Sequence, residues 1–444
     1  MASESALQPF YEQYTALSHA GLLPGGDVDW LTALRERGIA RFRELGFPTQ
    51  RVESWKYTSL RNLERNIFHP ATLHTGSVGV DTVPSLLADQ AGHRAVFVNG
   101  WFRPELSSLG NLPDGASLRS LQQDLEIAPE ALGGYIDRIA TRQADQPFYH
   151  LNSALMQDGF VLRVREGARI EQPIEIVSIA APTAESLAFH PRNLIVLAPD
   201  SEATLVEHHV GMGEDSASLA NAVTEISVGE RAKLHHYRLQ GEPESAFHIN
   251  TLHASVAEQA FYDGFTLTVG GKLTRNEQHV SLDGAFADAR LNGAYLQAGR
   301  QHCDNTTLIE HAVPDTRCRE IFKGALEGKG RAVFQGKLHV HPDAQRTDGH
   351  QLSRALLLSD EAEIDAKPEL EIYADDVACS HGSTAGELEK DALFYLRSRG
   401  IPYQTARRIM VESFLGEVVE EMTLDHLRTA FMQRISDWLD RKGA

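Results

Sequence analysis

The chain has 444 residues, which is enough to bury a large core and to form roughly two to four domains. Its 42% hydrophobic and 23% charged residues are typical of an ordinary soluble protein. The formal net charge of −19 argues against unspecific binding to nucleic acid or anionic lipid, because both need a basic surface.

Cysteine usage and the N-terminus indicate a reducing compartment. The chain has 3 cysteines, Cys303, Cys318 and Cys379, and their odd number and wide spacing predict no disulfide framework. The first residues lack the basic region and apolar run of a secretory signal. No stretch approaches the roughly 20 apolar residues of a membrane span. We therefore expect a cytoplasmic protein.

The first part of the chain is helical and then irregular. Residues 1–65 predict an N-terminal helical domain, and residues 66–150 predict a mixed α/β connecting region. The Trp-Lys-Tyr-Thr run at 55–58 places two large aromatic side chains close together. They could form a binding patch, or the hinge of a small helical domain that packs on its neighbour.

Residues 151–382 predict a mainly β core. Short apolar or alternating runs recur, as at 160–164 and 265–269, and each ends near Gly, Asp, Asn or Pro. Similar segments return after about 29 and about 40 residues, which is the range of repeat architectures. The pair His208-His209 and the pair His235-His236 occupy similar repeat positions, which predicts a stacking ladder.

A solenoid of parallel strands explains this region better than the alternatives. An open parallel sheet needs long, usually helical crossovers, and a sandwich of hairpins needs turn signals such as Asn-Gly, which are rare here. Coils of roughly 20 residues would bury their inward side chains on their neighbours. An open solenoid end exposes unpaired strand backbone, so we expect it to be capped or paired in a dimer.

Residues 383–444 predict a C-terminal helical domain. The Thr-Ala-Gly-Glu run at 384–387 has the spacing of a capping box, and three amphipathic segments follow. Gly400 is placed to end the first helix and Pro402 to start the second. Such a module can cap the solenoid, dock a partner, or do both.

The candidate chemistry lies at 373–384, where the strand-like and helix-like parts meet. Cys379 and His381 would face the same side of a strand, because side chains alternate. A Cys-x-His beside acids could ligate a metal, relay a proton or carry sulfur, or it could be a polar strand end with nothing bound. His339 and His341 repeat the two-residue step, with His350 nearby, so a metal role or a structural role is open for them.

These residues resemble the SufB/SufD family, whose members are scaffold subunits of the Suf machine for iron–sulfur cluster assembly. The resemblance lies in Ile-Tyr-Ala-Asp-Asp-Val at 372–377, in Cys379, Ser380, His381 and Gly382, and in Ala-Leu-Phe-Tyr-Leu-Arg-Ser-Arg-Gly-Ile at 392–401. It extends through 347–351 and 364–371, and the run at 55–58 resembles the family's N-terminal domain. Length and the lack of a Cys-rich N-terminal segment favour the SufD branch over the SufB branch.

The resemblance implies a right-handed parallel β-helix between N-terminal and C-terminal helical domains. It implies a non-catalytic scaffold that pairs with a SufB paralogue through the β-helix and docks SufC, an ABC-type ATPase, on its C-terminal helices. The residues expected to dock the ATPase are Leu393, Tyr395, Leu396 and Arg397. A homodimer is expected when the partner is absent. The implied cofactors are a transient iron–sulfur cluster shared with SufB and, in the complex, a reduced flavin.

The resemblance places His381 at the interface, opposite a cysteine of SufB, as a ligand or helper for the nascent cluster. Such clusters take soft thiolate or imidazole ligands. With 3 cysteines and no CxxC pair, the chain cannot supply a four-thiolate site, which favours a metal site shared with the partner through Cys379 and His381. The alternatives are an inert thiol at Cys379, a helix-entry histidine at His381, and turn roles for Asp375 and Asp376 in place of iron binding.

Two other functions stay open at this point. A β-helix enzyme acting on polysaccharides needs acidic catalytic groups along a groove, which Asp375 and Asp376 could supply, but an extracellular substrate fits poorly with the missing signal. A purely structural adaptor would leave Cys379 and His381 without a role. No Walker A motif is present, so ATP hydrolysis must come from a partner.

Overall fold

The chain forms a two-sheet parallel β-solenoid with helices at both ends of the sequence. The computed structural model describes residues 4–73, 75–87, 92–140, 143–213 and 216–442. The helices are α1 (Glu4–His19), α2 (Asp29–Leu45), α3 (Leu121–Ile127), α4 (Pro129–Gly133), α5 (Pro147–Leu155), α6 (Lys390–Ser398), α7 (Tyr403–Val419) and α8 (Asp425–Lys442). The predicted mainly β solenoid between helical regions is confirmed.

In the part of the chain that the structure describes, twenty-one strands build the solenoid and its closed end. They are β1 (His69–Pro70), β2 (His93–Val98), β3 (Trp101–Phe102), β4 (Ala116–Ser120), β5 (Phe160–Val164), β6 (Ile174–Ala180), β7 (Leu187–Phe189), β8 (Arg192–Leu197), β9 (Glu202–Gly211), β10 (Ser218–Val228), β11 (Lys233–Gly241), β12 (Phe247–Val256), β13 (Phe261–Thr268), β14 (Leu273–Leu282), β15 (Asp288–Gln297), β16 (His302–His311), β17 (Arg317–Leu326), β18 (Arg331–Val340), β19 (Thr347–Leu357), β20 (Glu363–Ile372) and β21 (Val377–Gly386).

Each coil contributes one strand to each of two sheets. Sheet A runs β20-β18-β16-β14-β12-β10-β8-β5-β4, with β7 also paired to β10 and β1 paired to β7. Sheet B runs β21-β19-β17-β15-β13-β11-β9-β6-β2-β3. Neighbouring strands of the solenoid are parallel, whereas β4 pairs with β5 and β3 with β2 in antiparallel fashion. One end of the solenoid is therefore closed by antiparallel strands.

The predicted coil length of roughly 20 residues was wrong. One coil takes 26 residues where Phe247 pairs with Leu273, and 32 where Arg331 pairs with Glu363. The reason is that each coil holds two strands of about 10 residues and two turns, as β14 and β15 show. The spacing of about 29 residues is thus close to one coil, and the spacing of about 40 matches no whole number of coils.

The predicted histidine ladder was also wrong. The parallel register of β9 and β11 pairs Glu202 with Lys233, so His208 lies beside Leu239 and His209 beside Gln240. The two pairs are offset along the strands because the coil is longer than the distance that separates the pairs in sequence. His236 instead bonds Glu207, with 2.5 Å between Nε2 and Oε1, and His209 lies 3.2 Å from the same carboxylate.

Side-chain columns line the solenoid interior. Register on sheet B stacks Ala203, Leu234, Tyr262, Ala289, Cys318, Gly349 and Cys379 in one column. The first five of these are buried in the main apolar cluster. Stacked inward side chains of this kind supply most of the burial that holds a solenoid together. Cys303 and Cys318 are both fully buried.

The C-terminal helices lie on the outer face of sheet B. Outward residues of the sheet, such as Phe265 and Leu296, form one apolar cluster with Leu415 of α7 and Phe431 of α8. Buried Lys323 of β17 donates to the carbonyl of Phe414 at 3.1 Å. Thr423, which precedes α8, hydrogen-bonds Tyr237 and Asp263 of the solenoid, at 2.9 and 2.8 Å. The helices are thus held against sheet B by apolar and polar contacts.

The N-terminal region packs on sheet A through the run at 55–58. Trp55 is buried and stacks on Phe148, and the guanidinium of Arg275 in β14 lies 4.1 Å from the Trp55 ring centroid. Thr58 donates to Asp304 of β16. The aromatic run is therefore a packing joint between the helical region and the solenoid, which was one of the two interpretations of its sequence.

Strand pairing continues on both sides of residues 151–382. The parallel ladders begin before residue 151, because β2 pairs with β6 and β1 with β7. At the other end β21 continues to Gly386, and α6 begins only at Lys390 without a side-chain cap. The predicted capping box at 384–387 was therefore wrong, since a backbone already paired with β19 cannot start a helix.

Candidate functional site

The site lies at the open end of the solenoid. β20 and β21 are the terminal strands of the two sheets, and within the described residues no further strand pairs with them. Their side chains are mostly exposed or half-buried, whereas those of the preceding coils are mostly buried. Pro368 fits into β20 because an edge strand can tolerate a missing backbone donor. Unpaired strand edges of this kind readily pair with another chain.

Cys379 and His381 are the last members of two interior columns. Cys379 follows Cys318 and Gly349, and His381 follows Glu320 and Gln351 in the register of β17, β19 and β21. In the earlier coils these columns are buried, but here Cys379 is half-buried and His381 is exposed. The predicted same-side geometry of the two residues is confirmed, and His381 lies within a strand and not at a helix entry.

Gly349 leaves a space between two thiols. A Cβ at this position would lie 3.4 Å from Sγ of Cys318 and 3.5 Å from Sγ of Cys379. Nε2 of His311 lies 3.3 Å from Sγ of Cys318. The buried sulfur of Cys318 and the half-buried sulfur of Cys379 thus face the same gap at Gly349, which lies one coil in from the open end.

Burial keeps both thiols protonated. It raises the pKa of Cys379, with a further rise from the Asp348 carboxylate and an opposing effect of the Gly349 backbone hydrogen bond. Burial also raises the pKa of Cys318 well above its usual value. A thiolate is the form that binds soft metals, so Cys379 would need a cation or a partner's positive charge before it could act as a ligand.

The column that ends at His381 contains a buried carboxyl group. Glu320 accepts a hydrogen bond of 2.6 Å from Nε2 of Gln351, the residue next to His381 in the ladder. Burial raises the pKa of Glu320 from 4.5 to about 7. A group with this pKa can hold or release a proton near neutral pH. Glu320 lies two coils in from His381, with Gln351 between them in the column.

Glu320→Gln should therefore make the stability of the protein less sensitive to pH. Between pH 4.5 and about 7 the unfolded chain ionises Glu320 while the folded chain keeps it protonated, so folding stability falls as pH rises through this window. We expect the variant to gain stability over the wild type by on the order of 2–3 kcal/mol between pH 5 and pH 8. Urea unfolding at the two pH values measures this.

The exposed Glu126 provides the control, because Glu126→Gln should leave the pH dependence of unfolding unchanged. If the stability difference between Glu320→Gln and the wild type is the same at pH 5 and pH 8, the proton on Glu320 is not part of the folded state.

The two aspartates of the segment at 373–384 are turn residues. Asp375 and Asp376 are exposed between β20 and β21. The backbone N–H of Asp376 donates to Gln345 at 2.9 Å, and its carbonyl accepts from the N–H of Arg346 at 2.6 Å. This confirms their interpretation as turn residues, since these bonds lock the entry into β21.

The predicted docking residues lie on α6 but are unequally exposed. Tyr395 and Arg397 are exposed, whereas Leu393 and Leu396 are half-buried. The guanidinium of Arg397 lies 5.7 Å from the ring centroid of Tyr403. None of the nine residues of α6 is buried, so this helix presents side chains on a large part of its circumference.

Sequence reasoning missed two features of this end of the protein. Phe394, on α6, is 74% exposed and is a stronger docking candidate than the leucines beside it. Glu310 lies with His339 and His341 in one group of potential metal ligands. The helical spacing of the Phe394 run could have indicated the first feature, but only the register of β16 and β18 brings Glu310 to the histidines.

Comparison of the sequence with models of known protein families shows to which family the chain belongs. Residues 180–414 match the model described as "SUF system FeS cluster assembly, SufBD core domain", and residues 1–176 match the SufBD protein N-terminal region. The chain is a member of the SufBD family. The resemblance predicted from the residues at 372–401 is confirmed, and the family is that of the SUF system of iron–sulfur cluster assembly.

Relatives in this family cover nearly the whole chain. The iron–sulfur cluster assembly protein SufD of Escherichia coli is 32% identical over 91% of this chain and 92% of the relative. A SufBD family protein of Synechocystis is 29% identical over 96% of this chain and 95% of the relative. SufD of Bacillus subtilis is 23% identical over 90% of this chain. The likeness is thus strongest to SufBD proteins of the SufD type.

The helices of the SufBD fold here are not membrane spans. Across the described ranges, none of them is both long enough and apolar enough to cross a bilayer.

Proposed function

We propose that this chain is a non-catalytic scaffold subunit of a Suf complex for iron–sulfur cluster assembly. The observation that supports this best is the open solenoid end, where two interior columns stop at Cys379 and His381. A family member with soft ligands at an unpaired strand edge is suited to share a cluster with a second subunit. ATP hydrolysis is supplied by a partner.

The partner at the open end is a SufB-type paralogue. β21 offers its free edge over the 10 residues that β19 pairs on the other side, and it has no proline. Docking there would bury Cys379 and His381 at the interface and bring them against ligands of the partner. When the paralogue is absent, we expect the same edge to pair with a second copy of this chain. The reduced flavin concerns the assembled complex and remains a prediction.

The ATPase partner, a SufC-type subunit, docks on α6. Phe394 and Tyr395 are 74% and 58% exposed next to Arg397 and Arg399. Exposed aromatic and arginine side chains are the residues that most often dominate protein–protein interfaces. The docking residues are therefore Phe394 together with the predicted Leu393, Tyr395, Leu396 and Arg397.

Co-purification tests this assignment. We expect the tagged chain, co-expressed with SufB-type and SufC-type subunits, to retain both on an affinity column. Phe394→Ala should weaken binding of the ATPase by roughly 30-fold, a change of about 2 kcal/mol, and should leave the paralogue bound. Capture of neither subunit by the wild-type chain would contradict the proposed function.

Phe286 is the matched control for this experiment. It is 59% exposed on a turn of the solenoid, far in sequence from α6, so Phe286→Ala should retain both partners. Equal loss of the ATPase in both variants would show that α6 is not the docking site.

A further inference from the structure

A group of potential metal ligands, two imidazoles and one carboxylate, lies on the outer face of sheet A. We propose that Glu310, His339 and His341 form a binding site for a divalent transition-metal cation. This inference does not rest on the proposed function, because it concerns a property of the single chain and residues apart from Cys379 and His381.

Strand register brings the three residues together. β16 and β18 are adjacent parallel strands, and Glu310 pairs directly with His339. His341 follows His339 by two residues and lies one position past the end of β18, and its imidazole stacks on that of His339, so both rings lie on the same side of the sheet. The residues between and before them, Val340 and Leu338, are fully buried, which places the histidines on the outer face.

The ligand atoms are close enough to hold one ion. Nδ1 of His339 and Nε2 of His341 each lie 3.5 Å from Oε1 of Glu310. One ligand atom from each residue lies within 4.8 Å of the other two. A tetrahedral ion bonded at about 2.0–2.1 Å holds its ligand atoms roughly 3.3 Å apart, so small side-chain rotations would complete the site.

Neighbouring groups hold the imidazoles in place. The ring of Tyr373 packs edge-on against His339 with 5.7 Å between centroids, and the two imidazoles stack at 4.6 Å. Glu371, next to His339 in the ladder of β20, is paired with Lys337 at 2.5 Å. Tyr373 also begins the turn into β21. The three proposed metal ligands therefore contact the open end of the solenoid through the ring of Tyr373.

The donor set selects the class of metal. Two imidazoles and one carboxylate suit first-row transition metals such as Fe(II) and Zn(II), and suit Mg²⁺ and Ca²⁺ poorly. The side chains of Glu310, His339 and His341 are 10%, 17% and 39% exposed, so solvent can reach the remaining coordination positions. A site with three protein ligands and open positions binds an exchangeable ion more readily than a closed structural site does.

Metal titration of the full-length chain tests the proposal. We would treat the purified protein with EDTA and titrate it anaerobically with Fe(II), Zn(II) and, as a spectroscopic probe, Co(II). We expect one ion per chain, a Co(II) spectrum without thiolate charge-transfer bands, and a higher unfolding temperature with metal. His341→Ala and Glu310→Gln should each weaken binding by about 100-fold or more.

A control variant and two outcomes that would overturn the proposal complete the test. His350 is a single imidazole 3.0 Å from Asp348, so His350→Ala should leave the titration unchanged. Circular dichroism shows whether His341→Ala and Glu310→Gln remain folded, and two independent variants guard against misfolding of one. Full binding in both folded variants would overturn the proposal, as would binding that is lost in Cys379→Ala and kept in His341→Ala.

Discussion

In a complex reconstituted with SufB-type and SufC-type subunits, His381→Ala should reduce cluster formation by about tenfold or more while the subunits stay assembled. The reason is that His381 is the exposed end of an interior column, so its removal deletes the proposed cluster ligand without changing the strand pairing around it. Visible absorption during anaerobic reconstitution measures the cluster yield, and gel filtration checks assembly.

His69 is the control for this experiment, because it is exposed on β1, away from the terminal strands. His69→Ala should reconstitute like the wild type. A normal cluster yield with His381→Ala would remove His381 from the mechanism and favour a purely structural adaptor, particularly if Cys379→Ser were also without effect.

Arg275→Met should destabilise the protein by about 3–5 kcal/mol, because it leaves a buried carboxylate without its counter-charge. The side chains of Arg275 and Asp304 are both fully buried and lie 2.5 Å apart on neighbouring strands of sheet A. The same guanidinium packs over Trp55, so the substitution also loosens the joint between the N-terminal region and the solenoid. Urea unfolding measures the change.

A matched pair and a double variant separate charge from packing. Arg231 pairs with Asp200 at 2.7 Å between adjacent coils, but both side chains are nearly half-exposed and screened by water, so Arg231→Met should destabilise the protein far less than Arg275→Met does. Arg275→Met combined with Asp304→Leu should recover part of the loss, because the Asp304 charge is removed while the buried carboxylate of Glu277, 3.3 Å from the same guanidinium, still loses its partner. Equal costs for Arg275→Met and Arg231→Met would show that the buried pair contributes little.

The sequence predicted the architecture because its strongest signals are local. Recurrent strand runs without crossover helices indicated a parallel solenoid, and the residues at 372–401 indicated the family. The alternation of side chains along a strand was sufficient to place Cys379 and His381 on one side. These conclusions need only the residues within one strand or one motif, and all of them are confirmed.

Conclusions about pairing between coils failed for a common reason. The histidine ladder assumed a coil that matched the distance between two His-His pairs, but the register of β9 and β11 offsets them. The capping box at 384–387 has the right spacing for a helix start, yet β19 pairs with that backbone and keeps it extended. Local propensity is overridden when a neighbouring strand satisfies the backbone.

By itself the sequence determined the fold class, the family, the scarcity of thiols and the same-side placement of Cys379 and His381. The tertiary structure alone decided that these two residues end interior columns and that Glu320 belongs to the column of His381. It also decided that Glu310 lies beside His339 and His341. The physical reason is that contacts between coils depend on turn lengths summed over some 30 residues, as when Glu310 meets His339, and the strand pattern does not encode those lengths.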